Sequence, residues 1–234
     1  MGSLTSTFAR PGYESVDNPT SNLQQRNFKQ VTSLSGQELA DIVRLASTAF
    51  GDKDDSMLAL LGGDIALKDE FLTAMVRATL LEGAIYIVEV DSELVSASLW
   101  FRKPVGLFKS EAQRALGYDE WFKKLPEDLQ SWWTVDYSTQ MRDYSKTIID
   151  QEEWDKIWYC NLMVTDVDQQ NQGHATFMMD QMTARVREAG EMLGLSAGSE
   201  INVSKYESMG FRERGRIALR SLVNEIPCVW LTKE

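Results

Sequence analysis

Residues 158–164 read Trp-Tyr-Cys-Asn-Leu-Met-Val, apolar or aromatic at every position but Asn161. A strand that is apolar on both alternating sets is buried on both faces, so it belongs in the middle of a sheet covered on each side. This segment runs into Gln170-x-x-Gly173-x-Ala175 and then into Phe177, Met178, Met182 and Val186 at helical spacing, with Gly190 at the end. A central strand, a turn of small residues and an amphipathic helix therefore follow one another. Small residues at Gly173 and Ala175 let a ligand come close to the backbone. Amides left unpaired at the helix start point outward and form a cradle for an anion. The same residues also serve a plain turn and cap, so the segment alone does not decide between the two.

The rest of the chain supplies the sheet and its covering helices. Residues 1–27 are rich in Ser, Thr, Asn, Gln and Pro without apolar periodicity, and we expect a flexible N-terminal arm. Its opening Met1-Gly2-Ser3-Leu4-Thr5-Ser6 fits the loose acylation pattern, but without a basic cluster a single chain anchors only marginally. A first strand is expected over 28–33. Ser35-Gly-Gln-Glu38 spells a capping box before a helix carrying Leu39, Ile42, Val43, Ala46 and Phe50, which Gly51 stops. A second helix spans 68–82 and ends at Gly83. Residues 84–90 and 94–101 form a hairpin about Asp91-Ser92-Glu93. Helical stretches over 110–124 and 127–149 carry Trp121, Trp132, Trp133, Tyr137, Met141 and Tyr144, which we read as a packing face. A short fifth strand is expected at 192–196, a helix at 202–209, and strands at 214–222 and 227–231.

A second segment, Asn202-Val-Ser-Lys-Tyr206-Glu-Ser-Met-Gly210-Phe211, follows about thirty residues after the turn. Together the two resemble the GNAT superfamily of acyl-CoA N-acyltransferases, specifically over 157–232 and loosely before that. The final small residue of the turn is Ala175 where Gly is common, and the usual Pro before Gln170 is missing. The resemblance implies an α/β fold with a mixed sheet of about seven strands, central strands splayed, helices on its flanks, and a helical insertion over about 103–156 between the third and fourth strands. One domain then spans 28–234. It also implies acetyl-CoA as acyl donor and an amine as acceptor. Pantetheine would pair with the backbone of Leu162, Met163 and Val164, and the pyrophosphate would lie among Gln170, Asn171, Gln172, Gly173, His174 and Ala175. Tyr206 would give a proton to the leaving thiolate, or else pack its helix onto the sheet. Asn202 would bond pantetheine or cap its helix. His174, the only histidine, sits in the turn facing phosphate or solvent and is not expected to be the catalytic base. The insertion is expected beside the acceptor cleft.

Composition bounds the alternatives. A net charge of -11 argues against nucleic acid, whose phosphates need clustered Lys and Arg, while it suits a cationic acceptor. Cys160 and Cys228 lie in apolar runs without zinc spacing, so buried free thiols in a reducing, cytoplasmic setting are expected. No apolar run approaches the ~18 residues that span a bilayer, and no membrane or metal partner is expected. Glu89, Glu93 and Asp136 are carboxylates available as a general base, with nothing to choose between them. A Rossmann or P-loop reading fails on spacing, since neither Gly-x-Gly-x-x-Gly nor Gly-Lys-Ser/Thr follows the fourth strand. The remaining alternative to an enzyme is a non-catalytic acyl-CoA-binding or regulatory protein on the same fold.

Overall fold

The computed structural model describes residues 25–234. The expected arm and its acylation pattern lie outside them, except that Arg26 and Asn27 already belong to the first strand. Seven strands form one sheet: β1 Arg26–Val31, β2 Ala84–Val90, β3 Glu93–Arg102, β4 Ile157–Thr165, β5 Met192–Ala197, β6 Arg212–Arg220 and β7 Glu225–Lys233. Their order is β1-β2-β3-β4-β5-β7-β6, antiparallel at each pairing except the parallel β4–β5 pair. β4 is thus central, as its two-faced apolar pattern requires. The β2–β3 turn is closed by Asp91 and Ser92, both left-handed with φ of 51° and 70°, the geometry that matches strand twist in a two-residue hairpin.

Helices cover both faces. On one lie α1 Gly36–Phe50, α2 Asp55–Leu61 and α3 Lys68–Glu82. Their Ile42, Val43, Leu72 and Val76 pack with Leu99 of β3 and with Leu162 and Val164 of β4. On the other lie α9 His174–Glu188 and α10 Glu200–Ser208, whose Met179, Met182, Val186 and Val203 pack with Trp100, Cys160 and Leu195. The expected capping box starts α1: Ser35 Oγ accepts from Glu38 N at 3.2 Å and Glu38 Oε2 accepts from Ser35 N at 2.8 Å. At its other end the buried Lys68 ammonium donates to the carbonyls of Ser47 and Gly51 and to Asp52, a cation at the negative end of the helix.

The insertion between β3 and β4 departs most from its periodicity. Over 110–124 it holds α4 Glu111–Gln113 and α5 Asp119–Phe122 on either side of a kink. Over 127–148 it is helical throughout, as expected, α6 Glu127–Ser131 running through Trp132–Tyr137 into α7 Ser138–Ile148; α8 Gln151–Trp154 follows. Widened turns lie at Arg114–Tyr118, where Leu116 and Gly117 leave helical geometry, and at Trp132–Tyr137, where the helix runs on unbroken. The first is forced by Gly117, whose φ of 128° no helix contains. Its aromatic stripe is a packing face: Trp121 is buried against Phe71 of α3 with ring centroids 4.6 Å apart, and Trp133 meets Trp121 edge-on at 5.8 Å. Indole N–H groups pin it further, Trp132 to the Arg220 carbonyl and Trp133 to the Leu60 carbonyl, at 2.8 and 2.9 Å. α2 was not legible in the sequence, being a seven-residue helix started by Asp54, which accepts from Met57 N. α10 begins two residues before its expected start because Ser199, not Asn202, caps it. β6 likewise begins and ends two residues earlier than expected, and β7 is longer at both ends.

Candidate active site at the parting of the central strands

β4 and β5 pair over only four residues each, from Ile157 opposite Met192 to Cys160 opposite Leu195. β4 then continues to Thr165 along β3, while β5 continues to Ala197 along β7. The two strands therefore part beyond Cys160 and Leu195. The cause is local: in the register with β3, Trp100 faces Cys160 and Leu99 faces Leu162, so Asn161 is an extra residue without a partner. Such a bulge bends its strand and raises the local twist. It also resets the alternation, so that Cys160 packs under α9 and α10 while Leu162 packs under α1 and α3. Asn161 Oδ1 is left buried without a hydrogen-bond partner.

The open edge of β4 is narrower than expected. Val164 turns its carbonyl to β3, where Ser96 Oγ donates to it at 2.7 Å, and the Leu162 carbonyl accepts the Cys160 thiol at 3.1 Å. Strand alternation then leaves the main-chain groups of Met163 and Thr165 on the open side. Gln170 Nε2 donates to the Thr165 carbonyl at 3.4 Å, so its amide folds back on its own strand.

α9, like α3 after Leu67 and α6 after Pro126, starts without a side-chain cap, unlike the helices that have one. Ser35, Asp54, Asp150 and Ser199 each accept an amide at the starts of α1, α2, α8 and α10. At α9 the capping residue is Gly173, left-handed with φ 80°, and no side chain caps the helix. The amides of His174, Ala175 and Thr176 are thereby left for something outside the helix. Asn171, with φ 62°, and the exposed Gln172 complete the turn. A cation stands at the same place: Arg26 of β1 donates from Nη2 to the Gln172 carbonyl at 2.5 Å and lies 5.7 Å over the Phe177 ring. Uncapped amides, the positive end of a 15-residue helix and a guanidinium fit an anionic group such as a pyrophosphate. His174 departs from its expected place. It is 2 % exposed, both ring nitrogens lack partners, and burial, then Arg26, hold its pKa below the ordinary value. It faces the interior beneath the helix start.

α10 brings Tyr206 to the parting strands. Its half-buried ring meets Phe211 edge-on at 5.6 Å and packs in one cluster with Cys160 and Met163. Burial, with a smaller effect of Cys160, raises the phenol well above its ordinary pKa, so it carries its proton at any physiological pH. Cys160 is buried and its thiol is pushed up by burial, which leaves it inert. Asn202 is exposed on α10, its amide bonded to Ser199 Oγ at 3.3 Å.

On the opposite face Tyr159 Oη and Ser196 Oγ bond across β4 and β5 at 2.8 Å, one residue before and one after the last pair. Sequence reasoning missed this bridge, and it missed Arg26 and Asn161; strand alternation around 157–160 was the one signal for Tyr159. The three candidate bases are not brought to Tyr206. Glu89 is paired with Lys29 at 2.6 Å, and Asp136 is exposed in the insertion. Glu89 and Glu93 instead line an open groove of about 680 Å³ beside α1, with Glu38, Asp41 and Asp166 and with Lys29 and Arg44, which pair with Glu89 and Asp41.

No family sequence model matches the chain, and no curated protein matches it by sequence. Solved structures do. A Drosophila melanogaster polyamine N-acetyltransferase, which forms N-acetylagmatine, superposes with a TM-score of 0.58 at 9 % identity, covering 90 % of this chain and all of the other. A Corynebacterium glutamicum protein described as a histone acetyltransferase and related acetyltransferase gives 0.54 at 15 % identity, over 88 % of this chain and 94 % of the other. A Desulfovibrio desulfuricans protein assigned to the GNAT family of acetyltransferases gives 0.53 at 9 % identity, over 90 % and 99 %. At such identities likeness speaks for architecture, and the architecture of this chain, with its seven-stranded mixed sheet opening between β4 and β5, is the GNAT acetyltransferase fold.

Proposed function

We propose that this protein is an acetyl-CoA-dependent N-acetyltransferase that moves the acetyl group directly to an amine without a covalent enzyme intermediate. The observation that carries the reading is the coincidence of three features at one end of β4: strands that part after Cys160, a helix start that no side chain caps, and a half-buried, protonated Tyr206. Fold alone would not choose between an enzyme and a binding protein.

Acetyl-CoA would supply the activated thioester. Amides of His174, Ala175 and Thr176, with Arg26 beside them, bind its pyrophosphate, and Gln170 to Gly173 shape the turn around it. Main-chain groups of Met163 on the open edge of β4 orient the pantetheine arm. Tyr206 holds a proton at Oη for the departing sulfur, as a phenol does at neutral pH. The Tyr159–Ser196 bridge closes the floor of the opening on the other face. A cationic amine suits the -11 net charge, and agmatine and a polyamine, named for the Drosophila melanogaster enzyme, are the acceptors to try first. Two buried free thiols fit a reducing, cytoplasmic setting.

The test is a thermal shift with acetyl-CoA, CoA and NAD, followed by thiol release with amines. Ligand at 100 times its dissociation constant stabilises by about 2.7 kcal/mol, a shift of several degrees. Stabilisation by CoA species, but not NAD, with amine-dependent thiol release supports the enzyme. Stabilisation without release across an amine panel supports the binding protein, and no stabilisation at millimolar acetyl-CoA removes both.

A further inference from the structure

Where β4 and β5 part, their side chains fall on two sides of the sheet. Toward α9 and α10 lie Cys160, Met163 and Tyr206. Toward the insertion lie Tyr159 and Ser196, one residue before and one after the last pair of the two strands, and Tyr159 Oη donates to Ser196 Oγ at 2.8 Å. Little room is left around this bridge. Ser196 stands opposite Trp230 of β7, whose ring packs on that of Tyr159 with centroids 4.9 Å apart. The Lys103 ammonium lies 4.6 Å from the Tyr159 centroid and 4.5 Å from that of Trp154, a cation–π contact that holds the phenol ring where it is. At Gly194 of β5, opposite Tyr159, a Cβ would already stand 2.9 Å from Ile157 Cγ2 and 3.7 Å from the Tyr159 ring. Trp230 and Ile157 are buried, whereas Tyr159 and Ser196 are half-buried and form the margin of the opening.

We propose that the Tyr159–Ser196 bridge is the acyl-length gate of this protein, admitting an acetyl group and turning away longer acyl chains. The inference rests on the proposed function, which lays the pantetheine arm along Met163 and the sulfur at Tyr206, both on the side of α9 and α10. With that side filled by the donor, an amine reaches the thioester carbonyl from the side of the insertion. The acyl group on the sulfur therefore points through the gap between the strands, and the margin it meets is the bridge. A methyl rests against a bonded pair of hydroxyls without disturbing it. A longer chain must part Oη from Oγ, leaving two half-buried hydroxyls without each other, or displace a ring that Trp230 and Lys103 hold. The hydroxyls also offer an alkyl tail no apolar surface on which to bury itself. Tyr159 and Ser196 thus determine specificity for the donor and take no part in proton transfer.

The experiment measures the affinities of acetyl-CoA, butyryl-CoA and hexanoyl-CoA by calorimetry, which needs no acceptor, and reads the ratio of each longer donor to acetyl-CoA within one protein. In the parent, hexanoyl-CoA is expected to bind at least about tenfold more weakly than acetyl-CoA. Tyr159→Leu removes both hydroxyl and ring and is expected to bring hexanoyl-CoA within about threefold of acetyl-CoA. Tyr159→Phe combined with Ser196→Ala keeps the ring on Trp230 and removes only the two hydroxyls, so it carries the test should Tyr159→Leu not fold. It is expected to improve butyryl-CoA relative to acetyl-CoA by about tenfold. Equal affinities of acetyl-CoA and hexanoyl-CoA for the parent overturn the proposal and leave the proposed function standing, and so does a preference that the folded variants keep in full. A parent that binds no CoA species overturns both.

Discussion

α1 and α9 are both 15 residues long, and each packs on the sheet, yet they begin in opposite ways. At α1 the Ser35–Glu38 box satisfies backbone donors from within the chain. At α9 the cap is Gly173 and the first amides have no side-chain partner, while Arg26 arrives from a strand 146 residues earlier in sequence to stand beside them. A helix start that is capped spends its donors on folding; one left open keeps them for an anion. The difference separates stability from binding, and substitutions can break or sharpen it.

Tyr206→Phe carries the largest expected effect. Removing the hydroxyl while keeping the ring packed on Phe211 should slow amine-dependent thiol release by about 100-fold and leave the CoA-induced thermal shift unchanged. An unaltered rate would return Tyr206 to a packing role. Next comes Gly173→Asp, which gives α9 the kind of cap that α2 has. Its carboxylate would compete for the open amides and repel pyrophosphate, so CoA affinity should fall by about tenfold or more, measured by calorimetry. The left-handed φ costs some stability as well, since Asp tolerates that region only partly.

Ser35→Ala is the mirror experiment at α1. It should cost about 1 kcal/mol in urea unfolding and leave CoA affinity as it was, because that cap faces no ligand. A loss of affinity there would show that the two helix starts are not independent. The smallest effect belongs to His174. Because burial lowers its folded pKa, its stabilising contribution is present above the ordinary histidine range near pH 6.5 and is lost as pH falls through it, when the unfolded chain takes up the proton first. The melting temperature of His174→Asn should therefore fall less between pH 7 and pH 5 than that of the parent, and parallel curves would rule this out.

Much of the architecture was legible because local chemistry and global fold agree. The capping box at Ser35, the helix at Lys68–Glu82, the hairpin about Asp91 and Ser92, and the central place of β4 all follow from short-range patterns. The insertion was less legible. Apolar and aromatic spacing holds for the helix over 127–148, but over 110–124 Gly117 breaks the run, and the docking of both stretches onto Phe71, Leu60 and Arg220 is written in no local pattern. His174 looked like a turn residue facing outward, since a position at a helix start does not say which way its ring turns; packing buried it.

What the sequence determined by itself was a two-faced central strand, a turn of small residues, and an amphipathic helix beginning with its first amides at that turn, because each is written in residues within one or two turns of each other. What tertiary structure alone decided was where those amides meet a cation, which main-chain groups stay open, and where the strands part. Arg26 joins the turn only through the β1–β2–β3–β4 order of the sheet. Asn161 becomes an extra residue only against its neighbour β3, and a bulge is a property of a pairing that a single strand does not possess.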